Sequence, residues 1–166
     1  MAATTYLIAL GGNRRSRYGD PRRTVTVAIA ALPGVRAASP VIASAPVGPS
    51  ARRFANAAAM VDSSLDPPAM LAALKAIEKG WGRRRGRRWG ARVIDLDLIL
   101  WSGGGWRSPD LRLPHARFRE RAFVLGPLAA IAPGWRDPVT GLSMRQLHAR
   151  LTRRRPVPSC GPLMGP

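Results

Sequence analysis

The chain has 166 residues, 46% of them hydrophobic, with glycine and proline scattered throughout, which suits a single globular domain large enough for a substantial core. Its formal net charge is +18, and among its 27 basic residues only Lys75 and Lys79 are lysines; such a field favours polyanionic partners, nucleic acid first among them. One cysteine, Cys160, excludes an internal disulfide, and the absence of a Cys/His cluster at ligand spacing excludes a zinc site. Alanine and glycine are also abundant, as a biased base composition would produce, so the clustering of arginines carries more weight than their number.

The opening MAATTYLIAL has no basic leader and too short an apolar run for a membrane span, so a soluble cytoplasmic protein is expected. Thr4 to Leu10 reads as a buried strand ending in a Gly11-Gly12-Asn13 turn. Asp20 followed by Pro21 predicts an N-cap and first helical residue, with the helix running to about Leu32 and Gly34 as its stop. Val35 to Pro46 is strand-like but broken by Pro40, which suits an edge or a bulge. A loop, Val47 to Arg53, leads into a third strand, FANAAAMVDS from Phe54 to Ser63. Asp66-Pro67 repeats the cap signal and opens a second helix ending near Gly80, with Met70, Leu71, Leu74 and Ile77 at core-facing spacing.

Six of the ten residues from Arg83 to Arg92 are arginine, and this loop runs into a strand, VIDLDLILW from Val93 to Trp101. After it come a Gly-rich turn, the segment LPHARFRERAF, a short helix over Gly126–Ile131, and a last helix capped by Ser143 and ending near Leu151. The core is expected over residues 1–151, with an Arg/Pro-rich disordered tail over 152–166. The order β-α-β-β-α-β predicts an α+β, ferredoxin-like fold, two helices covering one face of an antiparallel sheet, with additional C-terminal helices.

Alternation along the Val93–Trp101 strand sets Ile94, Leu96, Leu98 and Leu100 on one face and Asp95 and Asp97 on the other. Guanidinium groups attract phosphate; a carboxylate pair repels it unless a metal ion stands between. Acids and arginines side by side therefore point to a metal-bound polyphosphate, with Asp95 and Asp97 holding hard cations through oxygen. The competing reading is a basic, non-catalytic nucleic-acid-binding module. It lacks a base-stacking platform, because the first strand offers only Tyr6 and the third only Phe54 before its alanines. Glu78, in the last turn of its helix, either pairs with nearby arginines or touches a ligand. His115 either donates to a phosphate or caps the next turn. Arg121 and Phe123 either set a charge and a ring over a pocket or pack into the core.

RWGARVIDLDLIL followed by LPHARFRERAFVLGPL, with His115 eighteen residues after Asp97, resembles the 6-hydroxymethyl-7,8-dihydropterin pyrophosphokinase family. The likeness extends from YLIALGGN through SAPVGP and FANAA to SMRQLHARL. It implies transfer of pyrophosphate from ATP to a pterin alcohol in folate biosynthesis, in a cytoplasmic enzyme expected to be a monomer, with no membrane partner and only incidental nucleic-acid binding. By the resemblance, Asp95 and Asp97 hold two magnesium ions, and Arg83, Arg85 and Arg92 complete the catalytic set. Phe54 and Phe123 sandwich the pterin, Asn56 bonds its polar edge, and Ser44, Pro46, Val47 and Trp89 line the pocket. Glu78, Arg85, Trp89, Leu98, Arg112, His115 and Arg121 are implied at the nucleotide. The chain departs from the family pattern at Gly12 (usually serine), Lys75 (often glutamine), Ala91 (usually proline) and Arg112 (usually small and polar), and its loops at Gly48–Arg53 and Gly82–Arg88 are each about a residue short.

Overall fold

The computed structural model describes residues 2–44, 53–81 and 93–153; the arginine loop, the Pro46–Val47 segment and the expected tail beyond Arg153 lie outside them. The first strand, β1 (Thr4–Gly12), is the centre of the molecule, paired antiparallel on both sides. On one flank lies β4 (Phe54–Ser63), which also pairs with β2 (Val35–Ala38) and β3 (Ile42–Ser44); on the other lies β5 (Asp95–Trp101), at the sheet's edge. With β2 and β3 taken as one strand interrupted at Pro40, this is the expected ferredoxin-like order.

Helices α1 (Pro21–Ala31) and α2 (Pro67–Gly80) begin where the Asp-Pro pairs put them. Asp20 accepts a hydrogen bond from the Arg23 amide at 2.8 Å and Asp66 from the Ala69 amide at 2.9 Å, each satisfying a donor that the first helical turn leaves open. These helices cover one face of the sheet. Val25, Ala28, Met70 and Leu74 bury against Tyr6, Ile8, Leu10, Ala57, Ala59, Leu96 and Leu98, each fully buried aliphatic side chain contributing about 1.5–3 kcal/mol.

The other face is covered too, which the two-helix expectation did not include. Helices α3 (Ala122–Ile131) and α4 (Met144–Thr152) pack Val124, Leu125, Leu128, Met144 and Leu147 against Leu7, Ala58, Ile99 and Leu100. Ser143 caps α4 as expected, in a reciprocal pair with Gln146. By contrast, α3 starts four residues before the expected Gly126, because Pro127 lies inside the helix and not at its start. An interior proline costs about 3 kcal/mol, which complete burial of Leu125 and Leu128 offsets.

Two strand readings are corrected. Gly11 and Gly12 do not turn but continue β1, paired with Asn56 and Ala55. At Gly12 the chain needs glycine for close approach: a Cβ there would sit 2.6 Å from the Val93 carbonyl oxygen. In β5, Leu100 does not follow Leu96 and Leu98. Ile8 pairs with Leu98 but Leu7 with Leu100, so Ile99 is an extra residue and Leu100 turns to the α3/α4 side. A small hairpin, β6 (Trp106–Arg107) and β7 (Arg112–Leu113), follows the Gly-rich turn.

Asp137, fully buried, anchors the loop before α4. Arg119 grips both its oxygens at 2.7 Å, and the Thr140 hydroxyl and Val139 amide also donate to it. Burial pushes its pKa up, but the Arg119 fork and these hydrogen bonds prevail and hold it at about 2, against an ordinary 3.8. Because the folded value is the lower one, this stabilisation, about 2 kcal/mol, is present above pH 4 and lost as pH falls toward 2. Arg119→Ala is expected to destabilise the fold by about 3–5 kcal/mol at neutral pH by stranding a buried carboxylate. Its thermal midpoint should fall less than the wild type's between pH 6 and pH 2.5, as melts at the two pH values would register. Gly12→Ser is expected to cost about 1–3 kcal/mol by forcing Val93 away, measurable by urea titration.

Candidate active site

Register and alternation bring distant residues to one end of the sheet, on the face that carries α3 and α4. Ser44 pairs opposite Phe54 and Ile42 opposite Asn56; Asn56 pairs with Gly11, and Gly11 with Asp95 on its other side. Asp97 pairs opposite Ala9. Phe54, Asn56, Asp95 and Asp97 thus share the face that continues into Leu7 and Ala58 of the α3/α4 core. Glycine at position 11 leaves the floor between amide and acid without a side chain; a Cβ there would meet Asn56 Oδ1 at 3.1 Å.

Asn56 is buried, and its amide donates to the Ser44 hydroxyl at 2.7 Å. This fixes the direction of the amide, so its oxygen has a defined orientation toward a partner. Phe54 and Phe123 are both half-buried, Phe123 packing against the core beneath α3. Arg121 immediately precedes α3, with its guanidinium carbon 6.0 Å from the centre of the Phe123 ring.

His115 is tied to the acid strand by its backbone amide, which donates to the Ile99 carbonyl at 2.9 Å. Burial pushes its imidazole pKa down; the negative charge of Asp97 opposes this and the positive charge of Arg121 adds to it. The neutral ring accepts the Arg117 amide at Nδ1, 3.2 Å away, which leaves Nε2–H as the free donor. Asp97 and Arg121 thus both lie close enough to His115 to act on it electrostatically, an acid and a cation about a neutral donor.

Other expected site residues stand elsewhere. The Leu98 side chain lies in the core under α1 and α2, on the face away from Asp97, so only its main chain is available to a nucleotide. Arg112 is exposed on β7, between Leu111 and Leu113, which bury into that same core. Among the described residues Glu78 pairs with no arginine, and the loop arginines lie outside them. The Glu78 carboxylate accepts the Leu96 amide at 2.7 Å and pairs with Lys75 at 3.1 Å, because Lys75 lies one turn earlier on the same helix face. Neither Gly11 nor Lys75 was among the expected site residues; the Gly-Gly pair in a strand was the one signal of the former. Pro46, Val47, Arg83, Arg85, Trp89 and Arg92 lie outside the described residues.

The donor set fits a hard cation and not zinc. Among the described residues no group of three or more His, Cys, Asp or Glu side chains could hold a metal. Asp95 and Asp97 alone would leave most coordination positions to water or phosphate oxygens, as magnesium prefers. The nucleic-acid alternative finds no support. Tyr6, its one candidate stacking residue on the first strand, is fully buried with its hydroxyl donating to the Leu65 carbonyl at 2.6 Å. Among the described residues no helix is long and apolar enough to cross a membrane.

A sequence profile of the 7,8-dihydro-6-hydroxymethylpterin-pyrophosphokinase family matches residues 7–133. The chain is similar to 2-amino-4-hydroxy-6-hydroxymethyldihydropteridine pyrophosphokinases of Pseudomonas aeruginosa (42% identical over 79% of this chain and 82% of that one). The counterpart in Methylorubrum extorquens is 39% identical over 89% of this chain and 94% of its own length. In structure it is similar to Plasmodium falciparum HPPK-DHPS, with a TM-score of 0.68 at 13% identity over 90% of this chain, a likeness of fold. This chain spans 42% of the length of that protein. On the profile match and these relatives, the chain belongs to the 7,8-dihydro-6-hydroxymethylpterin-pyrophosphokinase family.

Proposed function

We propose that this chain transfers pyrophosphate from ATP to the hydroxymethyl group of 6-hydroxymethyl-7,8-dihydropterin, giving AMP and the pterin diphosphate. Family membership supports the reaction class. The observation that carries the site is the pairing of Asp95 and Asp97 onto Gly11 and Ala9, which sets both acids on the face holding Asn56 and Phe54. A carboxylate pair beside a hydrogen-bonding amide and a half-buried ring suits a metal-bound phosphate beside a flat, polar-edged heterocycle.

Asp95 and Asp97 would hold magnesium, two ions on the family pattern; magnesium supplies charge neutralisation for the polyphosphate and acidifies the attacking hydroxyl. The hydroxymethyl oxygen attacks the β-phosphorus in line, the bond from that phosphorus to the α,β-bridging oxygen breaks, AMP leaves, and the hydroxyl proton passes to solvent. The protein's part is orientation and charge. Asn56 presents its amide oxygen to the polar edge of the pterin while Ser44 holds its NH2. Phe54 and Phe123 offer ring faces to the heterocycle. His115 donates from Nε2, and Arg121 lends positive charge, to phosphate oxygens. Arg83, Arg85, Arg92, Trp89, Pro46 and Val47 belong to this proposal on the resemblance alone. A monomeric enzyme acting in the cytoplasm, its catalytic domain spanning residues 1–151, is part of the same reading.

With ATP, magnesium and the pterin, mass spectrometry is expected to detect AMP and pterin diphosphate in equal amounts; neither product at high enzyme concentration would refute the assignment. Asp97→Ala is expected to lower turnover by about 10³-fold or more, with the circular dichroism spectrum unchanged. A variant that kept wild-type turnover would remove the metal role from Asp97.

A further inference from the structure

We propose that Glu78 and Lys75 are positioning residues that fix the geometry of the Asp95/Asp97 pair from behind, an inference resting on the reading of those acids as cation ligands. Among the described residues strand β5 is an edge strand, hydrogen-bonded to β1 on one side. In an antiparallel ladder alternate residues turn their amides away from the partner. Leu96, between the two acids, turns its amide outward, where an edge strand would leave it bare. The Glu78 carboxylate meets that amide at 2.7 Å from the end of α2.

The location matters because Leu96 is the hinge of the acid pair. The separation and relative tilt of the Asp95 and Asp97 side chains follow from the backbone torsions of the single residue between them. A charge-assisted hydrogen bond to the Leu96 amide restrains that peptide, complementing the β1 pairing that holds Asp95 and Asp97 themselves. The Glu78 side chain is only 4% exposed. A buried anion is a costly way to satisfy one amide, and a third negative charge behind two acids would increase their repulsion. Lys75 answers both difficulties: its ammonium lies 3.1 and 3.2 Å from the two Glu78 oxygens while its side chain stays 40% exposed. The acid pair is thus backed by a neutralised ion pair anchored on α2, whose Met70 and Leu74 are fixed in the core.

A mere strand cap predicts loss of stability on truncation; a positioning role predicts a change in cation affinity as well. The test uses the full chain, with Mn2+ alone as the probe in a paramagnetic-resonance titration and Leu96 amide exchange followed by NMR. Glu78→Ala is expected to speed Leu96 exchange and weaken Mn2+ binding, each about tenfold, as loss of a ligand's supporting partner does. The KM for the pterin should stay within about twofold, because the Ser44–Asn56 side of the site does not rest on α2. Glu78→Gln, which keeps an acceptor oxygen for Leu96, is expected to recover most of both losses. Should Glu78→Ala fail to fold, Lys75→Met is read instead, with both effects in the same direction and about threefold. Faster Leu96 exchange with unchanged Mn2+ affinity would overturn the proposal and leave Glu78 a strand cap; unchanged exchange would overturn it outright. Wild-type protein whose Mn2+ binding is unaffected by Asp95→Asn would instead remove the underlying reading of the acids, and the proposal with it.

Discussion

Two like charges on one strand, two residues apart, repel each other, and their spacing in the folded protein is set by what holds the strand. Here the holding is done by the pairing of β5 on β1, Asp95 against Gly11 and Asp97 against Ala9. Everything else at this end of the molecule is placed relative to that ladder. The other edge of β1 brings Asn56 and Phe54 alongside, and the backbone bond from His115 to Ile99 attaches the Leu-Pro-His segment to the same strand. The carboxylates are therefore less a feature of β5 than of the three-strand register β4-β1-β5.

The sheet can present this site because its two faces are used differently. One is buried along its length by α1 and α2, with Tyr6, Ile8, Leu10, Leu96 and Leu98 in the core. The other is buried only in part, by α3 and α4 over Leu7, Ala58, Ile99 and Leu100. The bulge at Ile99 marks the changeover, as two successive apolar residues join the α3/α4 core beyond the acids. The end of that face beyond this core holds polar groups whose geometry is set by well-packed neighbours. Rigid support under a polar floor is what a reaction run by positioning and charge requires. The extreme positive charge of the chain fits a polyanionic substrate; on the first strand the one candidate for stacking bases, Tyr6, is occupied in the core.

Much of this was legible in the sequence where local chemistry decides. Asp20-Pro21, Asp66-Pro67 and Ser143 fixed helix starts because capping is a property of adjacent residues. The common face of Asp95 and Asp97 followed from alternation alone. What was not legible depends on long-range partners. Gly11 and Gly12 read as a turn, yet pairing with strands some forty and eighty residues away keeps them extended. Leu100 changes face because Leu98, Ile99 and Leu100 are apolar whichever way they turn, so the pattern cannot show the bulge. The start of α3 was obscured by Pro127, whose breaking tendency is overcome by burial. Glu78 left arginine pairing and ligand contact open; Lys75 is a helix neighbour within reach of local spacing, whereas the Leu96 amide meets Glu78 only once α2 lies against β5. The meeting of Asn56 with Ser44 likewise needs the register of β3 on β4, which no spacing in the sequence encodes.

The central claim is that the Asp95/Asp97 face binds the polyphosphate through a divalent cation. Calorimetric titration of the chain with a non-hydrolysable ATP analogue, in magnesium and again in EDTA, tests it most directly. The account requires saturable binding in magnesium that weakens by about 100-fold or more without it, since bare carboxylates repel phosphate. Equal affinity in both buffers would contradict it, and would assign nucleotide binding to the arginines alone.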